Sequence, residues 1–296
     1  MSFTLLDGGM GQELMRRSGR SATPLWSADI IRERPDLVED AHADFLAAGA
    51  DVITLASYSV TPSRLAQSGR EDEFGALQQA AAAAAGRARL RVKPGARIAG
   101  CIPPLPGSYR PEDRSGGDAM RREYEGIVRA QMDAVDLFLC ETLASVEEAR
   151  LATRSAVAAG RPVWTALTVD EADGRVLRSG EPLVEAADAA VAEGAEAVLV
   201  NCSPPEVTGT ALGSLLGRYP VVGAYANAFT SVAALKVTGT VDALEALDDL
   251  DAVSYADAVM AWAQAGATIL GGCCEITPAH IAEIERRRIA GAAQQA

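Results

Sequence analysis

Histidine and lysine are scarce in this sequence of 296 residues, which holds two of each. The two histidines, His42 and His280, are too few for a hydrolase metal centre built from several imidazoles. The lysines, Lys93 and Lys236, fall in a predicted turn and a predicted loop rather than at the end of an apolar strand. Because a Schiff-base lysine needs a desolvated position, we do not expect one here.

Basic charge and long apolar runs are missing as well. Lys plus Arg is 27 and Asp plus Glu is 40, which gives a net charge of −13. Such a charge repels phosphate backbones and anionic membranes, so we expect neither a nucleic-acid nor a membrane partner. No apolar run reaches the roughly 18–20 residues of a membrane span, and the N-terminus does not have the pattern of a signal peptide. We therefore predict a cytoplasmic protein.

Cysteine is sparse and unevenly placed along the chain. The five cysteines are Cys101, Cys140, Cys202, Cys273 and Cys274. Thiols stay reduced in the cytoplasm, so we do not expect structural disulfides. An odd number of cysteines with one adjacent pair indicates another use.

Short apolar runs alternate with helical segments along the chain. Such near-continuous runs are typical of parallel strands buried on both faces. We predict eight strands, at Phe3–Asp7, Asp51–Tyr58, Arg97–Ile102, Leu137–Thr142, Val163–Val169, Ala197–Cys202, Val221–Ala226 and Thr268–Gly272. Eight strand–helix units favour an α/β fold, a single (β/α)8 TIM barrel, over the runner-up, an open doubly wound sheet. Residues 1–290 are predicted to form this one domain and residues 291–296 a frayed tail.

Three of the cysteines are predicted to converge where the strands of the barrel end, which is where such barrels carry their sites. Cys202 ends the sixth predicted strand, and Cys273 and Cys274 follow the eighth. The preceding Gly271 and Gly272 give the backbone freedom to turn both sulfurs towards one centre. Three thiolates with a fourth position open are the arrangement of a catalytic zinc site. The alternative is that these are ordinary buried apolar cysteines.

Two carboxylates are predicted at the same rim. Asp7 and Glu141 end the first and fourth predicted strands. As a pair they could bind a substrate ammonium group, while the amides of Gly8 and Gly9 receive a carboxylate. Together these groups would hold an amino acid whose side chain points at the metal. The alternative is that the two acids cap helices or form an ion pair at the barrel mouth.

A thiol substrate at such a metal would ionise near neutral pH, because a metal ion lowers the pKa of its ligands. Three protein thiolates leave the metal electron-rich, so the bound sulfur stays nucleophilic. It could attack a methyl group of a sulfonium or ammonium donor by in-line displacement, with no general base beyond the metal. The residues alone therefore indicate a methyl transfer to sulfur.

Six motifs follow the order of a known family through nearly the whole chain. They are Leu-Asp-Gly-Gly-Met-Gly at 6–11, Leu-Trp-Ser-Ala at 25–28, Ala-Gly-Ala-Asp-Val-Ile-Thr at 48–54, Cys-Glu-Thr-Leu at 140–143, Val-Asn-Cys-Ser at 200–203 and Gly-Gly-Cys-Cys-Glu-Ile-Thr-Pro at 271–278. On these motifs the chain resembles the homocysteine S-methyltransferases. The resemblance implies a (β/α)8 barrel enzyme that moves a methyl group from an onium donor, such as S-methylmethionine, S-adenosylmethionine or betaine, to homocysteine and so makes methionine.

The resemblance also implies roles for particular residues. Asp7 and Glu141 would bind the amino group of homocysteine. Trp26 matches a tryptophan of the methyl-donor pocket, where an aromatic face suits an onium group; packing between helices is the alternative. Asn227 matches an asparagine near the metal, with a role in a turn as the alternative. Zinc would be bound by Cys202, Cys273 and Cys274, with the homocysteine thiolate as the incoming fourth ligand.

Two segments depart from the family pattern. Tyr225–Phe229 reads Tyr-Ala-Asn-Ala-Phe where the family commonly has Tyr-Pro-Asn-Ser-Gly, and the loop at 101–117 differs from the usual Gly-Pro-Tyr-Gly type. Both lie where donor contacts are expected, so the identity of the donor stays open, as does the oligomeric state. Two alternatives remain: a methyltransferase for another thiol or selenol acceptor (selenohomocysteine or selenocysteine), and a non-catalytic zinc-binding barrel.

Overall fold

Strands and helices alternate in the computed structural model, which describes residues 2–20, 25–105, 107–113, 116–232, 247 and 250–293, with the backbone alone at 26 and 113. The strands are β1 (Thr4–Leu5), β2 (Val52–Thr54), β3 (Arg97–Ile102), β4 (Leu137–Leu143), β5 (Val163–Leu167), β6 (Ala197–Asn201), β7 (Val222–Tyr225) and β8 (Ile269–Leu270). Within the described ranges the α-helices are α1 (Met10–Ser18), α2 (Trp26–Glu33), α3 (Pro35–Ala47), α4 (Pro62–Ala66), α5 (Phe74–Val92), α6 (Gly117–Gln131), α7 (Val146–Val157), α8 (Leu183–Ala192), α9 (Pro205–Leu215), α10 (Ala252–Ala265) and α11 (Pro278–Ala293). None of these helices is long and apolar enough to cross a membrane.

The eight strands form one parallel sheet that closes on itself. Their order is β1-β8-β7-β6-β5-β4-β3-β2, and each pair of neighbours runs parallel. Leu6 and Val52 form a parallel bridge between the two ends of this order. Backbone hydrogen bonds from Asp51 N to Leu5 O at 2.7 Å and from Asp7 N to Val52 O at 3.1 Å complete the closure. The predicted (β/α)8 barrel is confirmed, and the open doubly wound sheet is excluded.

All eight predicted strands are present, and most are shorter than the apolar runs that indicate them. The run Asp51–Tyr58 is a strand only over Val52–Thr54, because Ser57 N donates to the Leu55 carbonyl at 2.7 Å and turns the chain into a loop. At the other end of the chain, α11 continues to Ala293 and takes in residues 291–293 of the predicted tail. Residues 294–296 lie outside the described residues.

Apolar side chains fill the inside of the barrel. They include Leu6, Val52, Ala99, Leu139, Trp164, Leu199, Tyr225 and Ile269. A second, larger apolar layer, which includes Phe45 and Phe138, lies between the strands and the surrounding helices. Because side chains occupy the interior, the barrel is a packed core rather than a pore, and space for a ligand is expected at the rim.

Candidate metal and substrate site

A cavity of about 250 Å³ opens at the carboxyl ends of the strands. The residues that line it come from strand ends and from the loops that follow them, and they include Asp7, Thr54, Tyr58, Arg64, Ser108, Tyr109, Glu141, Cys202, Tyr225, Phe229, Cys273 and Cys274. This is the end of the barrel at which sites of this fold are built. The sequence-predicted thiols and carboxylates therefore share one cavity.

The three predicted thiols come together in space although Cys202 lies far from the other two in sequence. The sulfur of Cys202 lies 2.8 Å from that of Cys273 and 3.6 Å from that of Cys274. The sulfurs of Cys273 and Cys274 are 4.0 Å apart. The three residues form a group that could hold one metal ion, and a donor set of three thiolates suits a soft or borderline metal rather than magnesium or calcium.

Local backbone geometry brings these sulfurs to one point. Cys202 has a φ of 50°, a left-handed conformation that few residues other than glycine adopt, and its amide is anchored on the Tyr225 carbonyl at 3.2 Å. The amide of Cys273 donates to the Ala226 carbonyl at 2.9 Å. A Cβ on Gly272 would lie 2.2 Å from the Ile276 side chain, so the turn before the cysteine pair requires glycine. Neither Gly271 nor Gly272 has a left-handed φ, so the pair serves a close approach of two segments rather than the predicted conformational freedom.

The Cys202 sulfur accepts hydrogen bonds from several neighbours. The Tyr109 hydroxyl donates to it at 2.9 Å. Burial raises the pKa of Cys202, but hydrogen bonds from Cys273, Cys274 and Tyr109 outweigh burial and hold that pKa well below its usual range. Donating to Cys202 raises the pKa of Cys273 and of Cys274. The contacts among the three sulfurs therefore favour the ionised form of Cys202 over that of Cys273 or Cys274.

Asp7 and Glu141 are buried neighbours with no cationic side chain paired to them in the described part of the chain. Burial, helped by the charge of Glu141, raises the pKa of Asp7 to about 8 against the lowering effect of the Thr54 amide. Burial likewise raises the pKa of Glu141 to about 7. A single positive charge placed between these two buried carboxyl groups would be stabilised by both of them.

Hydrogen bonds fix the position of both carboxyl groups. Asp7 Oδ2 accepts from the Thr54 amide at 2.8 Å, and Glu141 Oε1 accepts from the Cys101 thiol at 3.0 Å. The Tyr225 hydroxyl also lies beside Glu141 but short of hydrogen-bonding geometry. Neither acid caps a helix or pairs with a base at the barrel mouth in the described ranges, so the alternative drawn from the sequence has no support here.

The expectation for the two glycine amides needs a correction at Gly9. Its amide donates to the Ile276 carbonyl at 2.8 Å and is not available to a substrate carboxylate. A Cβ on Gly8 would lie 2.2 Å from the same carbonyl oxygen, so both glycines serve a close approach of two backbone segments. The amide of Gly8 and the N-terminal turn of α1, which borders the cavity from Met10, remain as candidates for binding an anion.

Asn227 and Trp26 were predicted from the family pattern. Asn227 is fully buried, with Nδ2 at 4.0 Å from the Cys202 sulfur. Its Oδ1 accepts from the Phe229 amide at 3.3 Å, so the side chain also supports a turn, as the alternative had it. The backbone of Trp26 begins α2, and its side chain lies outside the described part of the structure.

Sequence reasoning missed Tyr109, Thr54, Cys101 and Arg64 as residues that touch or line the site. Cys101 lies next to the last residue of the predicted strand Arg97–Ile102, and this position at the same rim as Glu141 was the available signal. Tyr109 lies in an irregular loop and has a φ of 62°. No pattern in the sequence predicts its contact with Cys202, because that contact depends on the path of the loop.

Comparisons with known proteins agree with this geometry. The family model described as homocysteine S-methyltransferase matches residues 4–288. Homocysteine S-methyltransferase from Escherichia coli (strain K12) is 32% identical over 304 residues, covering 96% of this chain and 94% of that protein. Selenocysteine methyltransferase from Astragalus bisulcatus is 29% identical, covering 93% of this chain and 89% of that protein.

Solved structures of the homocysteine methyltransferase MmuM from Escherichia coli share the fold. The metallated form has a TM-score of 0.82 and 30% sequence identity, covering 97% of this chain and 96% of that chain. The apo form, with the same coverage, has a TM-score of 0.73. With a family model that spans nearly its whole length and relatives alike in sequence and in structure, the chain belongs to the homocysteine S-methyltransferase family.

Proposed function

We propose that this protein is a zinc-dependent methyltransferase that moves a methyl group from an onium donor to the thiolate of homocysteine and so makes methionine. One observation carries the proposal. A single cavity has three thiols within 4.0 Å of one another and two buried carboxyl groups without a cationic partner in the described residues. Homocysteine carries the two matching groups, a thiol and an ammonium, on one short chain.

The cysteine cluster would bind the zinc ion through Cys202, Cys273 and Cys274, and zinc bound there would keep the substrate thiol ionised near neutral pH. The donor set fits zinc because thiolates are among its usual ligands, and three of them leave a fourth position open. Tyr109 would orient the Cys202 sulfur through its hydroxyl. The chemistry needs reduced thiols, which is consistent with the cytoplasm predicted from the sequence.

Asp7 and Glu141 would bind the ammonium group of homocysteine. At neutral pH and without substrate, the raised pKa of Asp7 keeps much of this carboxyl protonated. An ammonium placed beside it lowers that pKa, so a proton leaves the site as the amino acid binds. The amide of Gly8 and the N-terminal turn of α1 would bind the carboxylate of the amino acid. Held at both groups, the side chain of the acceptor extends towards the cluster.

The methyl group would move by in-line displacement, in which a new S–C bond forms as the donor's bond to its methyl carbon breaks. The onium donor leaves neutral at that atom, and the acceptor thiolate becomes a thioether. No side chain has to remove a proton during this step, because the acceptor is already ionised. The site residues position the two reactants and exclude water, and positioning is a large share of the rate in such displacements.

The test is a panel of donors with the wild-type protein loaded with one zinc per chain. S-Methylmethionine, S-adenosylmethionine, betaine and dimethylsulfoniopropionate are each incubated with homocysteine, and methionine is measured. We expect methionine from at least one donor and, by X-ray absorption, a fourth sulfur at zinc when homocysteine is added. If no donor gives methionine and the X-ray absorption of zinc does not change when homocysteine is added, the result would instead support a non-catalytic zinc-binding barrel.

Selenocysteine is a second candidate acceptor, because one relative is named selenocysteine methyltransferase. A selenol also ionises more readily than a thiol and would suit the same cluster. Competition between homocysteine and selenocysteine for one donor separates the two candidates. We expect homocysteine to have the larger kcat/KM, because the family model described as homocysteine S-methyltransferase matches residues 4–288.

A further inference from the structure

The strand β4 is irregular near its carboxyl end. Its register with β5 shifts between Cys140 and Leu143, so β4 has one residue more than its neighbour over this stretch. An extra residue of this kind is a β-bulge, and bulges beside functional sites re-aim side chains. The two residues within it are Glu141 and Thr142, and both line the cavity. The carboxyl group proposed to bind the ammonium is therefore part of the bulge.

The bulge changes which residues of β4 face the inside of the barrel. In a regular strand, successive side chains alternate between the two faces. This rule holds as far as Cys140, since Leu139 packs inside the barrel and Cys140 packs in the outer layer. Beyond that point Glu141 and Thr142 both line the cavity, and Leu143 packs in the outer layer. Two consecutive side chains thus face the cavity, which a regular strand would not allow.

Thr142 has a backbone conformation that its residue type does not favour. Its φ is 60°, in the left-handed region, and a β-branched residue is a genuine outlier there. Strain of this kind persists only where the surrounding structure holds the residue in place, and it is concentrated at functional sites. Because Thr142 directly follows Glu141, the direction in which the chain leaves Glu141 depends on what holds this turn.

The side chain of Asn201, the last residue of β6, holds the turn. Its Oδ1 accepts from the Thr142 amide at 3.0 Å, and its Nδ2 donates to the Thr142 hydroxyl at 2.8 Å. Strand β5 lies between β4 and β6, so these bonds cross the barrel instead of extending the sheet. Asn201 is fully buried and cannot touch a ligand, so it can influence binding only through its neighbours.

Asn201 also precedes Cys202, but Cys202 has supports of its own. Its amide donates to the Tyr225 carbonyl at 3.2 Å, and its sulfur accepts from the Tyr109 hydroxyl at 2.9 Å. These contacts remain when the Asn201 side chain is replaced. The amide and the hydroxyl of Thr142, in contrast, both bond to Asn201. We therefore expect the carboxyl side of the site, rather than the cysteine cluster, to depend on Asn201.

We propose that Asn201 is a positioning residue for the acceptor: it fixes the left-handed turn at Thr142 and thereby holds Glu141 where the ammonium group of homocysteine binds. This inference rests on the function proposed above and adds to it a residue that contacts neither substrate nor metal. Ion pairs and hydrogen bonds weaken as distances and angles depart from their best values. A Glu141 that moves when the turn relaxes would therefore bind the ammonium less well, with the cysteine cluster intact.

The first measurement is the dissociation constant of homocysteine for the zinc-loaded protein, by calorimetry and without a methyl donor. Asn201→Leu keeps a side chain of similar size and removes both hydrogen bonds to Thr142. We expect the dissociation constant to rise about 10-fold, with bound zinc and kcat at saturating homocysteine unchanged. If this variant does not fold, Asn201→Ala takes its place, because it removes the same bonds and leaves a polar space that water can enter.

The matched control is Thr153→Val, which removes a buried side-chain hydrogen bond between α7 and β5. The hydroxyls of Thr153 and Thr165 lie 2.7 Å apart, and both residues are fully buried. Asn201→Leu and Thr153→Val should both lower the urea midpoint of unfolding, because each leaves a buried polar group without its partner. Only Asn201→Leu should weaken the binding of homocysteine, which separates positioning from stability.

A double-mutant cycle with Thr142→Gly tests whether Asn201 acts through the turn. Glycine adopts a left-handed φ without strain, so the turn depends less on Asn201 in this background. We expect Asn201→Leu to raise the dissociation constant of homocysteine about 2- to 3-fold there, against about 10-fold in the wild-type background. Its effect on the urea midpoint should shrink likewise, and that readout requires no substrate. Equal effects in both backgrounds would overturn the proposal.

Two further results would also overturn it. Unchanged binding of homocysteine by Asn201→Leu would make Asn201 a residue of the core alone, and loss of zinc from this variant would show that Asn201 supports Cys202 rather than Glu141. Failure of the proposed function is distinct, because the wild-type protein would then make no methionine from any donor. In that case the cycle in urea midpoints still decides whether Asn201 holds the turn at Thr142.

Discussion

The two ends of this barrel treat carboxylates in opposite ways. At the amino-terminal end, Asp51 precedes β2 and is surrounded by cations and an amide. Its Oδ1 accepts from Lys93 at 2.8 Å, its Oδ2 accepts from the Leu5 amide at 3.0 Å, and Arg288 pairs with it as well. Burial raises the pKa of Asp51, but Arg288 and Lys93 outweigh burial and bring it to about 2.

At the carboxyl-terminal end, Asp7 and Glu141 have no such partners in the described part of the chain, and burial raises their pKa values to about 8 and about 7. The same residue type is therefore charged and compensated at one end and held partly protonated at the other. A network that satisfies its own charges stabilises the fold, whereas a site that lacks one positive charge is prepared to receive it from a ligand. The amino-terminal rim thus compensates its own charges, whereas the carboxyl-terminal rim is where we propose that the substrate binds.

The largest effect is expected from a variant that disrupts the cysteine cluster at the carboxyl-terminal end of the barrel. Cys202→Ala removes one of the three clustered thiols that we propose as zinc ligands, and the two remaining thiols would hold a metal poorly. We expect loss of bound zinc and a fall in kcat/KM of more than about 1,000-fold, since without the metal the acceptor thiol stays largely protonated. Metal analysis and methionine formation measure the two effects.

Cys140→Ala is the matched control for that variant. Cys140 is a fully buried thiol of β4 that packs in the outer apolar layer rather than in the cluster. It should keep one zinc per chain, at a modest cost in thermal stability. Retention of zinc by Cys202→Ala, or its loss from Cys140→Ala, would contradict the assignment of the metal to the three clustered cysteines.

The next variant separates binding from stability at a single carboxyl. Asp7→Asn keeps an acceptor for the Thr54 amide but cannot carry the negative charge that an ammonium needs. We expect KM for homocysteine to rise about 10- to 100-fold with zinc content unchanged. We also expect the free energy of unfolding at pH 8 to increase by about 1–3 kcal/mol, because ionising a buried, uncompensated carboxyl is costly. Kinetics and denaturant unfolding test both, and loss of zinc would show that Asp7 serves the metal.

Asp51→Asn is the counterpart at the other rim, and it should act in the opposite direction. The pKa of Asp51 is lowered in the folded protein from its usual 3.8 to about 2. Its contribution is therefore present above about pH 4 and is lost as the pH falls through about 2. We expect Asp51→Asn to lower the free energy of unfolding at pH 7 by about 1–2 kcal/mol after allowance for solvent screening of this partly exposed group, with KM for homocysteine unchanged.

The pH dependence of the free energy of unfolding compares the same two rims without any measurement of KM. Asp7 binds a proton more tightly in the folded protein, so its share of the stability is present below about pH 4 and declines as the pH rises towards about 8. Unfolding curves of wild type and Asp7→Asn should therefore diverge as the pH rises from 4 to 8, and those of wild type and Asp51→Asn should converge below pH 4. Curves that stay parallel for both variants would remove the contrast between the rims.

Sequence patterns were sufficient for the barrel and for the cysteine cluster, and the reason is the same in both cases. Buried parallel strands need continuous apolar runs, and the fold places every strand end at one rim. A strand-end residue such as Cys202 can therefore be located in space from its position in the sequence. The Gly-Gly-Cys-Cys motif after β8 supplied the other two cysteines of the cluster by the same logic.

Residues of the segments between strands could not be located in this way. Tyr109, in the loop after β3, and Arg64, in the short helix α4 after β2, line the cavity because these segments take particular paths, and no periodicity in the sequence predicts such a path. Gly9 shows the converse limit. A glycine at a strand end suggested a free amide, but its amide is committed to Ile276, a residue whose nearness only the packed structure reveals.

The smallest expected effect concerns how Glu141 is held rather than whether it is present. The Cys101 thiol donates to Glu141 Oε1 at 3.0 Å and lowers the pKa of that carboxyl against the effect of burial. Cys101→Ala removes the donor, so the pKa of Glu141 should rise above about 7 and the carboxylate should be scarcer at neutral pH. We expect KM for homocysteine to rise about 3- to 10-fold at pH 7, with kcat and zinc content unchanged and with the loss recovered as the pH is raised. Cys101→Ser restores a hydrogen-bond donor at the same place and should return the pH profile of KM towards that of wild type. If Cys101 served only to fill the core, both variants would change stability and neither would change the pH profile of KM.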